Sequence, residues 1–418
     1  MKIAVAMLGA RMHYAVPRML HQEGLLHRFY TDTYIGNKPW LERALQLVPE
    51  RLRPGELSRW LGRKDPLLPP EKVVSFDSLG LQYALARRRA AGNGATVEVV
   101  VEFAKRFNHR VLQYGLGEVD AVIGFNSAAQ ELLAQARRDG QRCIMEQTIL
   151  PRRLARRILA EEQARWPGWE KPAAKLNNEH MLEEREFAEW QLADMILAGS
   201  EFVRDGLTAS GVPQEKIRVV PYGVDTSRYN HIRNARKGPD EKRPLRILFA
   251  GQVGLRKGVP DLLHALQMLD PEAVEARFAG PIALRREKLE PFSPWVRFLG
   301  PVPRIKMLEL FEWADVFVLP SLVEGSATVT YEALASGCPV IATPNAGTIV
   351  RDEVEGLIVP VRSPELLANA ILRYADDKEL LIRQETRLKE SFTIYGLGRY
   401  RNDLLDAFHE LGASWSYA

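Results

Sequence analysis

The sequence predicts an α/β protein made of two Rossmann-like, doubly wound domains. Three observations support this. Short runs rich in Val, Ile and Ala alternate with longer helical patterns. These runs are apolar on both faces, as strands of a parallel sheet covered by helices on each side must be. They fall into two series divided by a polar stretch, in a chain of 418 residues that is long enough for two or three cores.

The first series is KIAVAML (2–8), DAVIGFN (120–126), RCIMEQ (142–147), MILAGS (195–200) and IRVVPYG (217–223). Residues 36–110 interrupt it. Their helical patterns are broken by prolines and end in a basic cluster, which predicts surface structure or a lid over a cleft. Next, LPRRLARRILAEEQARWPGWEK (150–171) interleaves basic pairs with Leu154, Ile158 and Leu159. It reads either as a helix lying peripherally on an anionic membrane or as a solvated helix packed on its own domain. The polar, basic segment 224–244 opens the second domain as a linker or long loop. The second series is LRILFAG (245–251), EARFAG (275–280), VRFLG (296–300), DVFVLP (315–320) and PVIAT (339–343). The expected domains are 1–222 and 223–395. The last helical pattern, with Leu404, Leu405, Phe408 and Leu411, could pack on either.

Composition narrows the class. A net charge of +4 gives no argument for nucleic acid, and 46% hydrophobic with 26% charged residues is ordinary for a soluble protein. No apolar run approaches the roughly 20 residues of a membrane span. Gly9 and Arg11 interrupt the N-terminal run too early for a signal sequence. Cys143 and Cys338 sit in apolar, strand-like runs, which predicts two buried free thiols and a cytoplasmic setting.

The chemistry is expected at the carboxyl ends of the second-domain strands. QVGLRKG (252–258) is a glycine-rich turn into a helix with Arg256 and Lys257, a combination that favours phosphate. Pro301 and Pro303 make tight turns that leave backbone groups free to meet a flat ring. In LPSLVEGSATVTYEALASG a second helix starts at a Ser326 cap and stops at a left-handed Gly337. Glu324 precedes this helix and Glu332 lies within it. A fully helical path between them would span about 12 Å, which suits two stations along an extended ligand better than two acids on one glycosidic bond. Taken singly, each acid also reads as a helix-dipole partner or a solvent-facing charge.

PSLVEG…YEALASGCPVIAT resembles the E-x7-E segment of the retaining GT-B glycosyltransferases, specifically glycosyltransferase family 4. The resemblance runs in order from about 185 to 362, through ADMILAGSEFVRDGL, VVPYGVD, FAGQVGLRKG, RFLGPVP and NAGTIVRDEVEGLIVP. It covers the N-terminal half loosely. It implies two domains facing across a cleft, with helix 396–418 crossing back to the first. It also implies a metal-independent enzyme without cofactor that transfers a sugar from a nucleotide-diphosphate donor to a hydroxyl acceptor, which could be a glycan, a lipid-linked molecule or a small molecule. Uridine diphosphate is expected ahead of guanosine diphosphate. The residues carried over as catalytic are Glu324, Lys257 and Arg256. Those expected at the donor are Glu332, Gly251, Gln252, Pro301, Val302, Gly325, Ser326, Ala327, Thr328 and Val329. On the acceptor side the expectation falls on Gly9, Arg11, His13, Glu146 and Gln147, with His13 also readable as an ordinary loop histidine. Gln252 stands where the family often has arginine, and Glu146 and Gln147 stand near its usual histidine. Two other functions fit the pattern: a nonhydrolysing GT-B epimerase or phosphorylase, and a catalytically weak sugar-nucleotide binding module.

Overall fold

The computed structural model describes residues 1–47, 60–90, 96–171, 178–236 and 243–413. Parts of the expected linker (237–242) and of the expected crossing helix (414–418) lie outside the described residues, as do 48–59 of the proline-broken region. Two parallel sheets organise the chain. The first contains β1 (Ile3–Met7), β2 (Leu26–Thr31), β3 (Val73–Ser75), β4 (Ala121–Phe125), β5 (Arg142–Gln147), β6 (Met195–Ala198) and β7 (Ile217–Val219). Its spatial order is β3-β2-β1-β4-β5-β6-β7. The second contains β8 (Leu245–Ala250), β9 (Val274–Ala279), β10 (Val296–Gly300), β11 (Val316–Leu319), β12 (Val340–Ala342) and β13 (Gly356–Ile358), in the order β10-β9-β8-β11-β12-β13. This is the expected GT-B arrangement of two doubly wound domains.

Central strands such as β1 and β11 are buried along their whole length, which is why they read as unbroken apolar runs. Strand order reverses between β1 and β4 in one sheet and between β8 and β11 in the other. At such a switch point the helices on either side diverge and open a crevice beyond the strand ends.

Six helices matter for the site. They are α1 (Arg152–Arg165), α2 (Glu179–Leu192), α3 (Val259–Gln267), α4 (Arg304–Trp313), α5 (Thr328–Ala335) and α6 (Leu397–Ala413). The chain re-enters the first domain at α6, whose Tyr400, Leu404, Ala407, Phe408 and Leu411 join the core with Ile3, Val5, Tyr14 and Leu20. The two interdomain passes run side by side: Val224 N–H donates to Tyr395 O at 3.0 Å, and Leu397 N–H to Val224 O at 3.0 Å.

Helix α1 packs on its own domain, through Arg156 to Glu183 at 2.9 Å and the Arg152 N–H to Glu186 at 2.8 Å, and on the second domain as well. Its apolar side, with Leu154, Ala155, Ile158 and Leu159, packs on Leu322, Val323 and Val361 of the second domain. Just beyond it, Trp169 belongs to the second-domain core and Trp166 packs against it. Arg362 ties Glu162 at 2.9 Å, and Arg165 donates to Asp261 Oδ2 at 2.9 Å. The face proposed for a membrane is half-buried against the second domain, and the helix bridges the two domains. The described residues between 60 and 114 include β3 and the helices Asp77–Ala90 and Thr96–Tyr114, which pack on the first sheet. Cys143 and Cys338 are free and buried, as expected. Among the described residues no helix is long and apolar enough to cross a membrane.

Candidate functional site

The loops after β8 and β11 meet at the second-domain switch point. After β8 the chain makes a short 3-10 turn over Leu255–Lys257 and then enters α3. After β11 it runs through Ser321 and Glu324 to α5. Glu324 Oε1 accepts hydrogen bonds from Lys257 Nζ at 2.5 Å and from Arg256 NH1 at 2.6 Å. Arg256 NH1 also donates to Val323 O at 2.9 Å, which anchors one loop on the other. Lys257 is buried, and this desolvation pushes its pKa down, while Glu324 opposes the shift. The first N–H groups of α5, at Thr328 and Val329, have no acceptor within the helix and carry its positive dipole end.

Glu332 forms a separate station on α5. Tyr229 hydrogen-bonds its carboxylate, and Arg304, at the start of α4, stands 3.8 Å away. Burial raises the Glu332 pKa, with Arg304, Tyr229 and Arg228 opposing. Pro301 is exposed and Val302 half-buried in the turn before α4. Gly251 leads out of β8, and Gln252 is exposed beside it. Ser326 is not the helix cap. That position falls to Ala327, without a side-chain bond, and the helix stops at Gly337 with φ 79°. The Ser326 hydroxyl turns instead into the domain interface, 2.8 Å from Tyr331 Oη and 3.4 Å from the Tyr222 N–H that donates to it.

The first domain closes against this loop. Ser200 Oγ donates to Gly325 O at 2.5 Å. A Cβ on Gly325 would sit 1.9 Å from Thr148 O, so only glycine permits this approach. Thr148 in turn receives Arg11 NH1 at 2.5 Å and donates to Asn126 Oδ1 at 2.8 Å. The residues after β1 are unusual. Met12, His13 and Tyr14 all adopt left-handed backbone, which costs each L-residue about 1–2 kcal/mol. Gly9 N–H is held by Asp32 Oδ1 at 2.9 Å. His13 crosses to the second domain, where its Nε2 lies 2.8 Å from Arg304 NH1. Burial lowers its pKa, and Arg304, Arg228 and Arg18 lower it further.

Glu146, the penultimate residue of β5, has one oxygen accepting from Tyr222 Oη at 2.7 Å and the other buried without a hydrogen-bond partner. Burial pushes its pKa up. Gln147 does not face the cleft. Its amide is used inside the domain, donating to Ile149 O and Glu186 and accepting from Trp190 Nε1 at 3.1 Å. It belongs with Glu186 and Glu189 on α2. Glu189 accepts from Ser127 and Ala129 N–H at 2.6 and 2.8 Å, and burial raises its pKa to about 7. This network props the loop after β4. Sequence reading missed it because Arg185, Glu186 and Glu189, three buried charges on one helix, give no motif. It also missed Arg304, Ser200 and Asn126, of which only Ser200 carried a signal, as a cap before α-helical EFVRDGL.

The structure thus brings Arg256, Lys257 and Glu324 together, holds Glu332 apart from them, and aligns Arg11, His13 and Glu146 along the opposite strand ends. Among the described residues no set of three or more His, Cys, Asp or Glu side chains is gathered for a metal ion. A surface cavity lies away from this junction, lined by Arg236, Arg243, Asp315 and Glu385. Arg236 pairs there with Glu385 at 2.7 Å and Arg243 with Asp315 at 2.6 Å, and Glu312 completes the charged lining.

Residues 244–377 match the family model described as Glycosyl transferases group 1. The amylovoran biosynthesis glycosyltransferase AmsK of Erwinia amylovora is 28% identical over 227 residues, covering 48% of this chain and 53% of that protein. A D-inositol 3-phosphate glycosyltransferase of Xylanimonas cellulosilytica is 33% identical over 201 residues, covering 43% and 48%. The chain spans about half the length of the curated relatives it matches. Among solved structures, Anabaena Alr3699/HepE in complex with UDP aligns at TM-score 0.60 with 14% identity, covering 98% of this chain and 100% of that one. Sucrose-phosphate synthase from Thermosynechococcus elongatus aligns at TM-score 0.64 with 18% identity and 99% coverage of both. At these identities the structural likeness speaks for the fold.

Proposed function

We propose that the protein is a retaining, metal-independent glycosyltransferase of family 4. It moves a sugar from a nucleotide-diphosphate donor to a hydroxyl on a glycan, a lipid-linked molecule or a small molecule. The observation that carries this reading is the convergence of Lys257 and Arg256 on Glu324 at the switch point, beside the start of α5. The curated relatives, which bear glycosyltransferase names, support it, and a neighbour in complex with UDP favours uridine diphosphate over guanosine diphosphate. Two free buried thiols suit a cytoplasmic setting.

In this reading the diphosphate lies between Lys257, Arg256 and the α5 N-terminus. Lys257 has three N–H donors and can keep Glu324 while gripping phosphate. Glu332 and Tyr229 receive the ribose hydroxyls, with the base over the 301–302 turn. Glu324 then meets the sugar hydroxyls beyond the phosphate. As the bond from the anomeric carbon to the β-phosphate oxygen breaks, negative charge grows on that phosphate. Preorganised donors of this kind are each worth about 2.7–4 kcal/mol in the transition state. The acceptor oxygen bonds to the anomeric carbon on the face the phosphate leaves, and its proton passes to the phosphate. The two cations and the helix end supply the positive charge that a divalent ion would otherwise bring. Arg11 and Glu146 border the acceptor side.

A thermal-shift panel of UDP, GDP, ADP and CMP, with and without EDTA, tests the reading. A nucleoside diphosphate at 100 times its dissociation constant should add about 2.7 kcal/mol of stability. One clear responder that ignores EDTA is the expected outcome. Loss of the response in EDTA would remove metal independence, and no responder at all would remove the donor site.

A further inference from the structure

We infer that Glu170 is a positioning residue for the donor site, a helix cap supplied from the bridging segment to the turn that presents Arg256 and Lys257. The inference rests on the reading of that turn as the diphosphate contact. The first N–H groups of a helical turn have no partner inside it; a Ser, Thr, Asp or Asn at the N-cap residue can meet one of the next two, at N2 or N3, and the N–H of N1 is left to another acceptor. Here the N-cap residue is Gly254, which has no side chain to offer. The Leu255 N–H donates to Glu170 Oε1 at 2.7 Å, from 85 residues earlier in the chain.

Gly254 fits this arrangement for a steric reason. Its φ of −163° is extended backbone that any residue adopts, so conformation does not demand glycine. A Cβ there would lie 2.6 Å from Glu170 Oε1, whereas its other near neighbours stand at 3.5 and 3.8 Å, which is ordinary contact. The space a side chain would fill is the space the carboxylate occupies.

The segment delivering Glu170 is held firmly. Glu170 pairs with Leu284 in an isolated antiparallel bridge, and Arg285 N–H donates to Trp169 O at 2.8 Å. Trp166 stacks on His264 of α3 with centroids 5.0 Å apart. Chain that follows α1 out of the first domain therefore fixes the backbone whose next two side chains reach Glu324.

Hydrogen exchange across residues 252–258 of the ligand-free, full-length protein is the direct test. Glu170→Ala should speed exchange at Leu255 on the order of five-fold, the fold-change for losing a typical helix cap. Glu170→Gln, which keeps an acceptor oxygen, should stay near wild type. Gly254→Ala alone should behave like Glu170→Ala. Gly254→Ala added to Glu170→Ala should cost nothing more, because the clashing carboxylate is gone. Calorimetry then reads the consequence: Glu170→Ala should weaken UDP binding by a similar factor and leave uridine binding unchanged. Exchange at Leu255 that ignores Glu170→Ala, or additive effects in the double variant, overturns the cap. UDP affinity untouched by Glu170→Ala but lost in Lys257→Ala overturns the positioning role. Exchange that responds in a protein whose wild type binds neither UDP nor GDP keeps the cap and removes the donor reading.

Discussion

At the scale of single residues, the two glutamates of the E-x7-E stretch have entirely different partners. Glu324 is held by two cations, whereas Glu332 is held by a phenol and a more distant guanidinium. This separation yields a prediction. Glu332→Ala should weaken nucleotide binding, while Glu324→Ala should leave binding nearly intact and lower transfer. Titration of UDP against each variant, alongside initial rates, checks both; identical profiles for the two would end the station model. Lys257→Ala removes a buried cation that a diphosphate would meet, and its turnover should fall by about 10²–10³. Glu324, Arg256 and Lys257 stood out in the sequence because they sit in short turns at strand ends, where an unneeded charge is conspicuous, whereas Glu332, inside α5, stood out only by its spacing from Glu324. Gln147 was misjudged because a strand-end amide looks the same whether it faces the cleft or the interior. Arg304 and Glu170 were invisible because their partners lie far away in the chain.

Among the elements, strands set in a longer apolar run were legible, the three-residue β7 and β12 included, whereas β2, β3 and β13 were not. β2 carries His27 and Arg28 within LHRFYT, while β3 and β13 have three residues each. Such pieces give too little periodicity to separate from loop. The role of α1 was misread for a related reason. An amphipathic pattern shows that a face will be buried but not by what, and here the cover comes from Leu322 and Val323 on the loop that carries Glu324. Leu322 is 1% exposed in that contact. Leu322→Ala should therefore cost about 2–5 kcal/mol of stability in urea unfolding, and it should loosen the Glu324 loop as well. A cost below 0.5 kcal/mol, the range of ordinary surface substitutions, would show that the helix does not brace that loop.

For the whole molecule, the domains meet on one side through α1 and the two parallel passes, and on another through the His13–Arg304 contact. That contact needs a neutral imidazole, since Arg304 can only donate and His13 Nε2 must accept. Around His13 stand Arg304 of the second domain, Arg228 after the interdomain pass, Arg18 of the first domain, and Asp65, which alone favours the charged form. Its pKa is lowered in the folded protein, so the unfolded or opened state binds the proton more readily. The contact is then intact above the ordinary histidine value of 6.5 and weakens as pH falls through it. Small-angle scattering between pH 8 and pH 5 should show the radius of gyration rising on acidification, and His13→Ala should flatten that dependence. A wild-type radius that stays constant would dismiss the contact as a latch. The return of α6 to the first domain has a consequence for synthesis. One flank of the first sheet, over Ile3 and Val5, stays uncovered until Tyr400 to Leu411 leave the ribosome. The earliest-made domain is therefore the one that waits, and it must reach its final form only after the second has had time to fold.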